Sequence, residues 1–409
     1  MSRGPQEQKR LQAGETIEVL IERILPGGAG LAHFEGQTVL VGLAAPGDRL
    51  RVQVERVRKG LAFASPLEVI SPSPARVEPP CPYFGRCGGC DFQQLNYPAQ
   101  LEAKVQIVRD CLRRIARIEY SKEIPITGSP LEWRYRSRAQ WQHDPQKSLL
   151  GYFERGTHRV CDVVECPVLV PALQETLNTL REAISAGRLP AETTEFQAVA
   201  GDRGASLFPP FEDKPTAEVT RHIYGELYRF SAASFFQINH ELLDKLVAAA
   251  IEGAQGARAV DLYCGAGLFT LPLARRFQQV YGVEASATAA AFARTNLHDA
   301  GIANAEVACA PVSAWLKAQS RRLAPVDFLL LDPPRTGAEP GAVTGILALR
   351  PRRISYVSCD PATLARDLKE LTGGGYTLDT IAAFDMFPQT HHVETVVQLS
   401  HQMIKHTSS

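Results

Sequence analysis

The chemistry this chain can do rests on a few thiols and acids at the ends of apolar runs. Cys359 follows Tyr356-Val357-Ser358 and precedes Asp360-Pro361. Asp332 follows Leu329-Leu330-Leu331 and precedes Pro333-Pro334-Arg335. Three leucines in a row suit a buried parallel strand, and an acid with two prolines marks the point where the chain leaves the sheet. Ligands of open α/β sheets bind at those carboxyl ends. A thiol there is either a small core residue or a covalent nucleophile. A nucleophilic cysteine works as thiolate, and an unperturbed thiol titrates near ~8.5, so its surroundings matter. Phe387-Pro388-Gln389-Thr390-His391-His392-Val393-Glu394 offers three partner bases: His391, His392 and Glu394. Glu394 reaches the same edge if its strand enters antiparallel to its neighbours. His391 reads more simply as a packing or capping residue.

A second cluster begins where Val260-Asp261-Leu262 runs into Tyr263-Cys264-Gly265-Ala266-Gly267. Gly265 and Gly267 allow a tight turn and close approach of a ligand. The dinucleotide fingerprint needs a third glycine, and Thr270 stands in its place, which argues against a nicotinamide or flavin cofactor. Glu284 ends the next strand, where an acid can take two ribose hydroxyls. A ribose without a pyrophosphate points to S-adenosylmethionine (SAM). Asp-Pro-Pro after a strand appears in several nucleobase methyltransferases, so the expected acceptor is a base, not a small alcohol or amine.

The cysteine fits one such base. Carbon 5 of uracil is a poor nucleophile toward a methyl sulfonium, but thiolate addition at carbon 6 makes it an enolate carbon. A base must then take the C5 proton before the thiolate leaves. A uracil within a stem cannot reach such a thiol, so the target is expected single-stranded or flipped out.

Five segments occur in one order: Ser234-Phe235-Phe236-Gln237-Ile238-Asn239, Asp261 through Gly267, Asp332-Pro333-Pro334-Arg335, Ser358-Cys359-Asp360-Pro361, and Phe387-Pro388 through His392-Val393-Glu394. With them the chain resembles, over nearly its whole length, the RNA uracil-C5 (5-methyluridine) methyltransferases of rRNA and tRNA. The resemblance implies Cys359 as nucleophile and Glu394 as general base. It also implies a SAM site lined by Gln237, Tyr263, Gly265, Gly267, Glu284 and Asp332, with Asp332 also near the target base. The chain departs from some members at Leu268, where they carry Asn, and near Pro311, where they carry a polar residue that reaches the adenine. Adenine contacts are then expected from main-chain atoms or elsewhere. The rRNA branch, with 23S rRNA as target, is preferred over a tRNA enzyme. A nucleobase amino-methyltransferase would not need Cys359 or Glu394. A third alternative is an RNA-binding iron–sulfur or zinc protein without catalysis.

Cys81, Cys87 and Cys90 have the spacing C-x5-C-x2-C, with Cys161 and Cys166 as candidates for a fourth ligand. Soft thiolate sets select zinc or iron–sulfur clusters, and spacing leaves both open. In the resembled family this spacing with a later Cys-Pro holds a [4Fe–4S] cluster, and Cys166-Pro167 matches it. The spacing C-x3-C-x2-C of radical SAM enzymes is absent, so a structural or RNA-shaping cluster is expected.

These side chains need a sheet whose strands end at one edge. From Gln237 onward helix and strand patterns alternate, with a helix near 239–252 and strands near 258–262, 279–284, 305–310, 327–332, 353–358, 376–384 and 393–400. This predicts an α/β, Rossmann-like SAM-dependent methyltransferase domain over 236–409. Residues 15–70 alternate apolar and polar, as in Ile17-Val19-Ile21 and Leu50-Val52-Val54, with glycine turns, which predicts a small β-barrel over 1–72. That stretch resembles the OB-like TRAM domain, an RNA-binding barrel. The remainder, 73–235, is expected as a central α+β iron–sulfur domain, reached through the linker Ser71-Pro72-Ser73-Pro74. A helix is expected over 98–118, with Leu101, Val105, Val108, Leu112 and Ile115 on one face, set to pack on the methyltransferase domain.

Composition agrees. The chain has 409 residues, 45% apolar and 22% charged, which fits two or three soluble domains. No apolar run is long enough to span a membrane and the first residues are polar, so a cytoplasmic monomer without membrane partner is expected. In a reducing setting clustered cysteines read as metal sites or catalysis, not disulfides. Net charge is zero, but Lys104–Arg159 holds 12 Lys/Arg against 6 Asp/Glu, a local +6 that suits RNA. Within it, Trp133-Arg134-Tyr135-Arg136-Ser137-Arg138 offers aromatic faces for bases and guanidinium groups for phosphates.

Overall fold

In the front strands, polar and apolar residues alternate because every second side chain crosses to the other face. A computed structural model describes residues 10–190, 192–210 and 216–401; the polar opening stretch up to residue 9 lies outside them. The chain forms two compact units. One takes in the chain up to Asp110 together with Pro388–His391; the other comprises Cys111–Phe387 and the chain from His392.

The first unit is built on a six-stranded sheet. Ile17 and Val19 of Thr16–Leu20 and Leu50, Val52 and Val54 of Arg49–Arg58 are buried among Val39, Val41 and Ala62. Glu22 N–H donates to Leu31 O just beyond Thr16–Leu20, so one stretch borders both edges and closes the barrel. Asp48, fully buried, accepts from Ala45 N, Ser73 N and the Arg76 guanidinium, at 2.7 Å from Arg76 Nη2. This hydrogen-bonded buried pair fastens the proline linker to the barrel, and removing one partner would strand a charge.

The second unit contains an eight-stranded sheet. Its order is Ala305–Cys309, Phe277–Glu284, Gly256–Leu262, Phe328–Leu331, Arg353–Ser358, Glu394–His401, Tyr376–Phe384 and Ile126–Thr127. The first five run parallel, and Glu394–His401 enters antiparallel between its two neighbours. The order reverses at Gly256–Leu262, and the switch point lies between it and Phe328–Leu331, where open α/β sheets leave a crevice. Asp332 N–H donates to Leu262 O, so the two strands leave the sheet together. A five-stranded antiparallel sheet, with Arg138–Asp144 at its centre, occupies part of 138–208.

Two helices differ from expectation. The predicted helix over 98–118 is α-helical over Tyr97–Cys111 and then widens to a π turn over Leu112–Ala116. A π turn takes more residues per turn, so a 3.6-residue count misplaces the far end of the face. Ile115 is exposed, while Cys111 and Ala116 pack on Ala365. Within 73–235, where the sequence pattern predicts a single helix over 98–118, a 15-residue helix Pro171–Ser185 buries Leu173, Leu177, Leu180 and Ala183. Pro171 starts it where a missing N–H costs nothing. No helix among the described residues is long and apolar enough to cross a membrane.

The sheet's centre is tightly packed, and Leu330 has no exposed surface. Leu330→Ala is expected to destabilise the protein by about 2–5 kcal/mol, measured by chemical denaturation.

Candidate active site

Three backbone conformations shape the loop after Gly256–Leu262: Tyr263, Gly265 and Gly267 all have positive φ, at 61°, 54° and 88°. A Cβ at Gly265 would meet nothing within 4 Å, so this glycine serves the turn and leaves room for approach. Thr270, which replaces the third glycine, donates its hydroxyl to the fully buried Asp261, whose carboxyl is pushed up to about 8 by burial. Glu284 is pre-placed at its strand end. Its carboxylate accepts from Gly265 N at 3.0 Å and Ser286 N at 2.7 Å, and a carboxylate keeps further lone pairs for a ligand.

Cys359 lies one residue beyond Arg353–Ser358, in a sharp strand-to-helix turn. Asp360 fixes that turn by accepting from Ala362 N and Thr363 N, capping the helix Pro361–Gly373. Because the last strand is antiparallel, Ser358 pairs with Thr395, which brings Glu394 to the edge occupied by Cys359. Asp332 ends the next parallel strand and accepts from Gln237 Nε2 at 3.2 Å.

Electrostatics tie this group together. Burial pushes the Cys359 thiol up to about 12, with Glu394 and Asp332 adding to the rise and Arg335 opposing it. Burial and Asp332 hold Glu394 well above the usual carboxylate range, again against Arg335. Burial pushes Asp332 up to about 7, with the Gln237 amide opposing. Glu394 is 2% exposed, and its Oε1 has no hydrogen-bond partner. A buried unpaired acceptor is costly, and native proteins keep few of them outside functional sites.

Other predicted residues fall elsewhere. His391 belongs to the first unit, where its backbone N–H and ring both bond the Asp91 carboxylate. His392 stands edge-on to Phe387 at 5.8 Å. Cys81, Cys87 and Cys90 are partly exposed in the first unit, and Cys166 is partly exposed in the second; Cys161 is buried in the strand Val160–Asp162. Among the described residues, no group of three or more His, Cys, Asp or Glu is placed to hold a metal ion. Tyr135 is 1% exposed, so it is a core residue and shows no face to a base. Arg138 is spent internally on Ser234 O and Gln197 Oε1 and lies 5.5 Å from the Phe235 ring centre. The alternating pattern of 133–138 thus marks a half-buried strand entry. Two residues carried no role in the sequence reading: Arg335, the cation facing the thiol, and Phe235, 59% exposed two residues from Gln237. Their signal was adjacency to Asp332 and Gln237 in the motifs.

Comparison with known proteins follows this geometry. A family model described as tRNA (Uracil-5-)-methyltransferase matches residues 218–402, and a TRAM domain model matches residues 10–67. The 23S rRNA (uracil(1939)-C(5))-methyltransferase RlmD of Alkalilimnicola ehrlichii is 32% identical over 95% of this chain and 97% of its own. The chain belongs to the RNA uracil-C5 methyltransferases. RlmD of Vibrio parahaemolyticus is also 32% identical, over 97% of this chain and 99% of its own. The crystal structure of Pyrococcus abyssi tRNA (uracil-54, C5)-methyltransferase with S-adenosyl-L-homocysteine matches with a TM-score of 0.73 and 27% identity, covering 94% of this chain and all of that one. The Rossmann-like methyltransferase fold and the N-terminal TRAM domain are therefore those of this uracil-C5 methyltransferase family.

Burial holds both the Cys359 thiol and the Glu394 carboxyl toward their neutral forms. Raised pKa values mean that the charged forms appear only as pH rises. Alkylation of Cys359 by iodoacetamide is expected to accelerate steadily from about pH 6 to about pH 9 with no falling limb, read as the difference in rate between the wild type and Cys359→Ala.

Proposed function

We propose that this protein methylates carbon 5 of a specific uridine in 23S rRNA through a covalent bond between Cys359 and carbon 6. The observation that carries this reading is the antiparallel entry of Glu394–His401, which sets a buried carboxyl beside a thiol at one sheet edge with Asp332. RlmD relatives that align over nearly the whole chain favour rRNA; a tRNA target is the alternative, favoured by the Pyrococcus abyssi structure.

Gln237, Tyr263, Gly265, Gly267, Glu284 and Asp332 would hold SAM, which supplies the methyl group when bound. The fit is good on three points: an open approach at Gly265, a pre-placed acid at Glu284, and no third glycine demanding a pyrophosphate. Phe235 offers its exposed ring to a flipped base. Cys359 gives up its proton to water, and the sulfur lone pair bonds carbon 6 while the C5–C6 electron pair moves toward carbon 5 and O4. Arg335 favours the thiolate by its charge. Once carbon 5 carries the methyl group, Glu394 takes the carbon 5 proton; the electron pair reforms the C5–C6 double bond, and the thiolate leaves. A raised pKa makes the Glu394 carboxylate a stronger base for that step.

The test is 5-fluorouracil-substituted rRNA, whose fluorine cannot leave as a proton does. The wild type should form a complex stable to denaturant, and Cys359→Ala should form none and lose all turnover. Glu394→Gln should lower turnover by roughly 10²–10⁴-fold while keeping carbon–sulfur bond formation. A fully active Cys359→Ala would favour an amino-methyltransferase and sink the covalent reading.

The same proposal assigns residues 1–72 to RNA capture, 73–235 to an iron–sulfur domain and 236–409 to methyl transfer. Cys81, Cys87, Cys90 and Cys166 would hold a [4Fe–4S] cluster. Support comes from donor chemistry: these four thiols are partly exposed, whereas Cys161 is buried in a strand. Among the described residues no group of three or more such side chains is gathered to hold a metal ion. Protein purified without oxygen should contain about four iron and four sulfide per chain, and Cys87→Ala should lose both. One zinc per chain would overturn the assignment.

A further inference from the structure

Neither position that departs from the family pattern offers a side chain that can hydrogen-bond an adenine. Leu268 is buried and apolar, and Pro311 has no N–H. Yet Pro311 stands beside the ribose acid. Glu284 pairs with Cys309 across the parallel ladder, and Ala310 N–H donates to Glu284 O at 2.9 Å. The corner at 310–313 and Glu284 therefore leave the sheet as neighbours.

What fixes that corner is a residue from a different loop. The helix Val312–Leu323 starts after Pro311, which gives it no side-chain cap. Its exposed N–H groups would normally need a Ser, Thr, Asp or Asn at that place. Here Glu339, seven residues beyond Asp332, supplies the cap. Its Oε1 accepts from Val312 N at 3.0 Å and its Oε2 from Ser313 Oγ at 2.6 Å. The backbone N–H of Glu339 donates to the Tyr263 hydroxyl at 3.0 Å. One residue thus joins three strand exits: those leading to Tyr263, to Pro311 and on from Asp332.

Glu339 is itself held. Ala338 N–H donates to the Asp367 carboxylate at 2.9 Å, and the Tyr356 hydroxyl donates to the same oxygen at 2.6 Å. Gly337 has φ +78°, and a Cβ there would lie 2.9 Å from Asp367 Oδ2 and Thr363 Cβ, so the loop lies flat on the helix Pro361–Gly373.

We propose that Glu339 is a cofactor-positioning residue: by bridging Tyr263 to the Val312-Ser313 corner it sets the wall against which the adenosine end of SAM rests. It does by geometry what polar side chains at positions 268 and 311 would do by contact. This rests on the SAM reading above and adds a residue outside the five motifs.

The test is S-adenosylhomocysteine binding by calorimetry together with steady-state kinetics. Glu339→Ala, folded by circular dichroism, is expected to bind about tenfold more weakly. KM for SAM should rise in step, while kcat at saturating SAM and KM for RNA stay at wild-type values. Glu339→Gln keeps an acceptor for Val312 N–H and should recover most of the affinity. Should the alanine variant misfold, Ser313→Ala, which removes one anchor and leaves the cap, is expected to weaken binding about threefold. Wild-type affinity in a folded Glu339→Ala or in Ser313→Ala would overturn the proposal. So would a fall in kcat with unchanged KM for SAM, since that places the effect on Asp332. Failure of the wild type to bind S-adenosylhomocysteine would instead remove the cofactor reading itself.

Discussion

Burial of one thiol and two carboxyls at a single sheet edge is the constraint that organises the methyltransferase half. Each of Cys359, Asp332 and Glu394 is pushed toward its neutral form mainly by loss of water; Asp332 adds to the rise at both Cys359 and Glu394, and Glu394 adds to it at Cys359. In a soluble core such grouping is disfavoured, because buried charges of one sign repel and find no solvent. Its survival here fits the proposed reaction, in which a proton leaves sulfur and another is collected from a ring carbon. Arg335 is the cation that tempers the pile-up of acids, and its carbonyl is held by Thr363 Oγ1 on the helix after Cys359.

The scaffold meets this cost with rigid exits. Ser286 and Asp360 cap the helices that follow them, and Glu339 reaches from another loop to cap Val312–Leu323; each of these helices starts just beyond a strand end. Asp360 caps the helix whose preceding residue is the thiol, so loss of the cap would move the sulfur as well as weaken the helix. Thr270 and Asp261 form a buried hydrogen bond below the glycine loop, which explains why a third glycine is not needed there. These are second contacts behind the reactive groups, and they keep the site from relaxing into ordinary packing.

Much of this could be read from the residues alone, for identifiable reasons. Parallel strands such as Leu329-Leu330-Leu331 announce themselves by unbroken apolar runs, and the acid and prolines behind them mark the exit. Glu394 was placed only conditionally, since its position depends on an antiparallel entry that periodicity does not reveal. Tyr135 misled because an alternating aromatic and basic stretch looks the same whether its aromatic side meets solvent or core. The π turn at Leu112–Ala116 was illegible because no residue type specifies it. Glu339 escaped notice because its partners, Tyr263 and Val312, are far away in the chain, and long-range capping leaves no local pattern.

Gln389, with φ 68°, lies in the first unit, where its amide oxygen accepts from Gln100 Nε2 and its backbone N–H donates to Gln100 Oε1, across 289 positions of chain. Its carbonyl also receives the N–H groups of Asp91 and Phe92. A ribosome delivers the front of this protein long before it delivers that strand-leading segment. The N-terminal unit therefore lacks these hydrogen bonds to Gln100, Asp91 and Phe92 until translation is nearly over. Loop closure over such a separation is slow, so the late segment, and not the barrel, sets when the nascent chain becomes whole.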